Sequence, residues 1–191
     1  GMRYLHSMNI PHKNLNPASI YLTKTGNHAK IADIGTSEYN SNSSFISPEL
    51  AKKMKEEKDK NSNIDDKNVK IVFSKIFNFD KSTNSNSNID DKNATIDFNK
   101  KCDIFAFGCL LYYILSDGSI PNNYILDDSK NKFNELAKEI IQMCWHPVNE
   151  QNNDNSTLKE RPQFNDILDK MKYANFQIAK DVCAAAIEKT L

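Results

Sequence analysis

The stretch HKNLNPASI, residues 12–20, gathers a histidine, a lysine, two asparagines and a serine into one short polar run, and Asp33 follows in the DIG run at 33–35. These residue types set limits on any chemistry. The amide oxygens of Asn14 and Asn16 are far too weakly basic to take a proton at neutral pH. The Ser19 hydroxyl can ligate a hard cation such as magnesium, but with a shorter reach than a carboxylate. Asp33 can hold a cation, or it can cap its own backbone in a turn ahead of Gly35. His12 has no second ligand at metal-site spacing and reads as a packed histidine. Cys102, Cys109, Cys144 and Cys183 form no CxxC pair, and they read as reduced core thiols rather than metal ligands or disulfides.

The elements that must position these residues are mostly helical. Met2 to Ser7 has apolar residues at helical spacing and breaks at Asn9 to Pro11, so the chain starts inside a helix. Ile20 to Leu22 and Ala29 to Ile31, separated by Thr25-Gly26-Asn27, read as a short hairpin. Ile104 to Leu115 is apolar all round, as suits a helix buried at the centre of a lobe. Lys132 to Cys144 and Phe164 to Met171 read as amphipathic helices, and residues 172–191 as a helical extension with an Ala-rich apolar face. Residues 51–100 are dense in Lys, Asp, Asn and Ser and show no sustained period, so they read as a low-complexity insert. Within them NSNIDDKNVKIVF (61–73) recurs as NSNIDDKNATIDF (86–98). Two copies are too few for a stacked solenoid.

At 191 residues with 39% hydrophobic content, the chain can bury one core. Its 25 basic and 25 acidic residues cancel. No charge excess points to nucleic acid or to an anionic membrane. The longest apolar run is too short to span a bilayer, and the expected setting is intracellular, in the cytoplasm.

In order along the chain, YLHSMNIPHKNLNPASIYL (4–22), KIADIG (30–35), FISPEL (45–50), CDIFAFGCLLYYIL (102–115), CW (144–145) and RPQF (161–164) resemble the C-terminal lobe of a protein kinase, in its tyrosine-kinase-like branch. The resemblance covers the whole chain, residues 1–191. It implies a mainly α fold, α+β overall, with a short β-hairpin after the catalytic loop. In that family an Asp accepts the substrate hydroxyl proton, while an Asn and the DFG Asp hold two magnesium ions. Here Asn14 stands at the acid position, Asn16 where Ser/Thr-type kinases carry a phosphate-contacting Lys, and Ser19 at the metal-binding Asn. Lys13 replaces an Arg and loses its forked geometry. Asp33 alone remains of the catalytic set. The short stretch from Asp33 to Glu49 leaves the peptide shelf incomplete.

The resemblance therefore implies a pseudokinase, a scaffold or allosteric binding module, with a divergent active protein kinase as the alternative. ATP is the nucleotide it would hold, against Tyr21, with Mg2+ bound weakly through Asp33 and Ser19 or not at all. It also implies structural roles. Asp103 should bond the backbone of the 12–16 loop, His12 and Ile34 should lie in an apolar spine, and Glu49 should pair with Arg161. Protein partners are expected, with no nucleic acid and no membrane. One partner is suggested by KIVF: Lys70, Ile71 and Phe73 resemble the docking motif of type-1 protein phosphatase partners.

Overall fold

A computed structural model describes residues 1–35, 44–60, 89–121, 123, 124, 126, 133–146 and 161–173. The calls on Lys70, Ile71, Phe73, Cys183 and all but the first two residues of the 172–191 extension lie outside the described residues.

The chain is mainly helical, with one small antiparallel sheet. Helix α1 (Met2–Ser7) buries Met2 and His6, which lie one above the other at the i, i+4 spacing of a helix face. It stops where Asn9 turns to a φ of 57°. Lys100 Nζ fixes that turn by donating to Asn9 Oδ1 at 2.7 Å. A single 3-10 turn (Pro17–Ser19) leads into β1 (Ile20–Leu22), which pairs with β2 (Ala29–Ile31) in the register Ile20↔Ile31, Tyr21↔Lys30, Leu22↔Ala29. Gly26, at a φ of 67°, makes the connecting turn and bonds back to the Thr23 carbonyl.

Helix α2 (Pro48–Lys60) and helix α3 (Ile89–Leu115) correct one part of the reading of residues 51–100, that no helical period is sustained there: residues 51–60 and 89–100 are helical. Leu50 and Met54 supply an i, i+4 pair of buried anchors on α2, and Phe98 and Asn99 are buried on α3. Lys52, Lys53, Lys55 and Glu56 on α2 and Asp90, Lys92 and Asp97 on α3 are exposed, and these charges dilute the apolar period that a sequence reading looks for. Lys53 Nζ sits 3.6 Å above the Phe98 ring, so the second repeat copy is built into the contact with α2.

Helix α3 is the axis of the core. Leu110, Ile104 and Ala106 join Met2, Leu15, Ile140, Phe164 and Ile167 in one cluster. Its Phe105, Cys109 and Tyr112 join Ile141 and Trp145 in a second. Helix α4 (Glu135–Trp145) starts at Asn134, whose side chain accepts from the Ala137 N–H at 2.8 Å, a regular N-cap. Gly108 lets α3 approach α4 closely, since a Cβ there would lie 2.6 Å from Cys144 Cβ. Helix α5 (Phe164–Tyr173) packs on α1 and α4. Cys102, Cys109 and Cys144 are free and buried, as core thiols. Among the described residues no helix is long and apolar enough to cross a membrane.

Candidate functional site

The polar loop at 12–19 hangs from the middle of α3. Asp103, 1% exposed, accepts from the backbone N–H of His12 through Oδ2 and of Lys13 through Oδ1, both at 2.7 Å. His6 Nε2 reaches the same Oδ2 at 2.8 Å. Three donors on one buried carboxylate make a strong, charge-assisted anchor. That anchor holds Lys13 at a φ of 72°, a left-handed conformation costly for a residue with a Cβ. Half-burial pushes the Lys13 ammonium pKa down, against the opposing pull of Asp103.

Beyond Lys13 the loop bonds to itself. Asn16 Nδ2 donates to both the carbonyl oxygen and Oδ1 of Asn14, at 2.9 and 3.0 Å. Asn16 Oδ1 accepts from the Ala18 N–H, while Ser19 Oγ accepts from the Asn16 N–H and donates to the Asn16 carbonyl. This reciprocal capping box closes the 3-10 turn. Ser19 is 2% exposed and its hydroxyl serves the loop's own backbone. In this arrangement the serine works as a cap.

A second segment, 32–35, is fastened to this loop through His12. The His12 ring donates from Nε2 to the Ala32 carbonyl at 2.9 Å, and the His12 carbonyl accepts from the Gly35 N–H at 3.0 Å. Asp33 lies in this turn, exposed, at a φ of 59°. Ile34, expected in an apolar spine, is instead 45% exposed. The left-handed backbone at Asp33 and at Gly35, φ 59° and 72°, makes a turn on both sides of it. Tyr21 stands on β1, 54% exposed. His12 itself is fully buried, as expected of a packed histidine.

Further from the loop, Glu49 and Arg161 form the expected bidentate pair, with Nη2–Oε1 at 2.6 Å and Nη1–Oε2 at 3.2 Å. Arg161 also donates to the His146 carbonyl, and its guanidinium lies over the Phe105 ring. Lys101 donates its ammonium to the Arg161 carbonyl, and burial pushes its pKa down. Sequence reasoning missed His6 and Lys101. For His6 the signal was present in its helical spacing from Met2; Lys101 stands in a charged run that conceals its burial. Among the described residues no group of three or more His, Cys, Asp or Glu could hold a metal ion. No protein-family model matches the chain, and no curated protein matches it either.

Proposed function

We propose that this chain is the C-terminal lobe of a protein-kinase-like fold that works as a pseudokinase, a binding and scaffolding module that transfers no phosphate. One observation carries the proposal. The loop at 12–19 offers amides and a hydroxyl where proton transfer would need a carboxylate, and those groups bond one another. A general base is typically worth about 10²–10⁴-fold in rate, and phosphoryl transfer otherwise rests on positioning and charge neutralisation. The 12–19 loop keeps its scaffold in Asp103 while Asn14, Asn16 and Ser19 serve structure. Asp33, exposed in its turn, is the residue left to meet a nucleotide's metal, so any ATP binding should depend little on magnesium.

The test is a radiolabelled phosphate-transfer assay on the full-length protein, paired with thermal shifts for ATP with and without magnesium. No transfer, in the natural sequence and in Asn14→Asp alike, is the expected outcome. Transfer that Asp33→Ala abolishes would instead identify a divergent active kinase. A separate partner belongs to the same proposal: a type-1 protein phosphatase engaging Lys70, Ile71 and Phe73. A peptide spanning 66–79 should bind it and lose binding with Phe73→Ala.

A further inference from the structure

Helix α1 carries two pairs of side chains at helical spacing. Met2 and His6 are buried, whereas Tyr4 and Met8 are 67% and 57% exposed. The Met8 N–H still bonds the Tyr4 carbonyl, at 3.2 Å, so the exposed pair lies one above the other on a face of its own. Ile10, 43% exposed, follows just beyond. Helix α5 packs beside α1: the Phe164 ring meets the His6 ring edge-on at 4.9 Å between centroids, and Met171 packs on the cluster that holds Met2. Tyr173, two residues past Met171, is the last described residue. Beyond it the sequence places Phe176, Ala179, Val182, Cys183, Ala186 and Ile187 at helical spacing.

We propose that the 176–187 segment docks as a helix on the exposed Tyr4–Met8 face of α1, its apolar stripe covering both side chains. Reach permits it. Residues 174 and 175 can extend about 7 Å from the end of α5, enough to turn the chain back onto a neighbouring helix, and the stripe itself is about 17 Å long as a helix. Size selects the occupant. The exposed Tyr4, Met8 and Ile10 fall far short of the roughly 1,000 Å² that a separate partner needs for a stable interface. A segment joined to α5 by a short linker meets the same patch at an effective concentration in the millimolar range, so a few apolar anchors suffice. The stripe suits this use, because Ala179 and Ala186 are small enough to let two helices approach with Tyr4 and Met8 between them. Docking closes this face of α1 to other proteins, and a partner that uses it must first displace the segment. The inference rests on α1, α5 and the 176–187 pattern, and it stands whether or not the chain is a pseudokinase.

Cys183 lies within the stripe and reports on its cover, while the buried Cys102, Cys109 and Cys144 report on the core in the same sample. The test is iodoacetamide alkylation of the full chain, read at each cysteine by mass spectrometry. Cys183 should react at least about tenfold more slowly in buffer than in urea, a ratio equivalent to about 1.4 kcal/mol of docking, and equally so at every protein concentration. The double variant Tyr4→Ser, Met8→Ser changes only exposed side chains; it should bring Cys183 to the urea rate with the three core thiols still protected. A natural chain whose Cys183 already reacts at the urea rate would overturn the docking. So would protection that survives the double variant, or that grows with concentration and so gives the face to a second copy. A crosslink reads the same claim without relying on that variant's fold. In Tyr4→Cys and Met8→Cys chains under oxidised glutathione, at least one position should bridge to Cys183 within a single chain, since a disulfide needs Cβ atoms about 3.5–4.5 Å apart. Bridges that form only between two chains, or at neither position, would overturn it.

Discussion

At the scale of single residues, Asp103 shows how one buried carboxylate can set the shape of a loop. Asp103→Asn preserves size but turns an NH2 group toward donors, so a buried backbone N–H at His12 or Lys13 loses its acceptor. Such an orphaned group costs about 1–3 kcal/mol, and urea unfolding should show that loss; an unchanged midpoint would mean the loop does not depend on α3. The buried thiols make a second prediction. Desolvation pushes Cys102 and Cys109 up to about 12, with only partial relief at Cys102 from the Ser47 hydroxyl, and raises Cys144 as well. A thiol raised in the folded state keeps a proton that the unfolded chain releases near about 8.5. Its stabilising contribution is therefore complete below that value and declines as pH rises above it. Thermal unfolding followed from neutral to strongly alkaline pH should show the melting temperature falling through that range, and a flat profile would put these thiols in contact with water.

At the scale of elements, legibility followed the density of apolar side chains. The hairpin was readable because its turn residues and β1 and β2 are adjacent in sequence, and its observed bounds are the expected ones. The core of α3 was readable from Ile104 onward, but its first turns were not. There Asp, Lys and Asn dominate, and the buried Phe98 lies under Lys53 of α2, which is distant along the chain. In the 12–19 loop the residue types showed what chemistry was missing, whereas the mutual bonding of Asn14, Asn16 and Ser19 depends on backbone angles that composition does not encode. The α3–α4 contact also hides in plain view, because glycine inside an apolar helix looks like a weakness. Gly108→Ala should test it. A Cβ 2.6 Å from Cys144 Cβ, with Trp145 at 3.0 Å, forces the helices apart. Overpacking of this kind costs about 1–3 kcal/mol and exceeds alanine's better helix propensity, worth about 1 kcal/mol. Denaturant unfolding should report a lower midpoint; a more stable variant would show that the contact can relax.

At the scale of the whole molecule, Arg161 ties together segments that the chain order keeps far apart. Glu49 opens α2, Lys101 lies on α3, His146 follows α4, and Arg161 itself precedes α5; its side chain is fully buried while that of Glu49 keeps 20% exposure. The pair alone would contribute modestly, since desolvation offsets much of its attraction. Its removal is another matter. Arg161→Ala would leave Glu49 without its guanidinium, the His146 carbonyl without that donor and a void over Phe105, and breaking a buried pair from one side costs about 3–5 kcal/mol. The solvent-facing pair of Lys170 and Glu139 offers a contrast, because exposed pairs contribute about 0–1 kcal/mol. Lys170→Ala should therefore barely move the unfolding midpoint, whereas Arg161→Ala should lower it severely and Glu49→Gln, which can still accept one bond, should fall between. Equal small shifts in all three would show that the four segments are held by their apolar clusters alone.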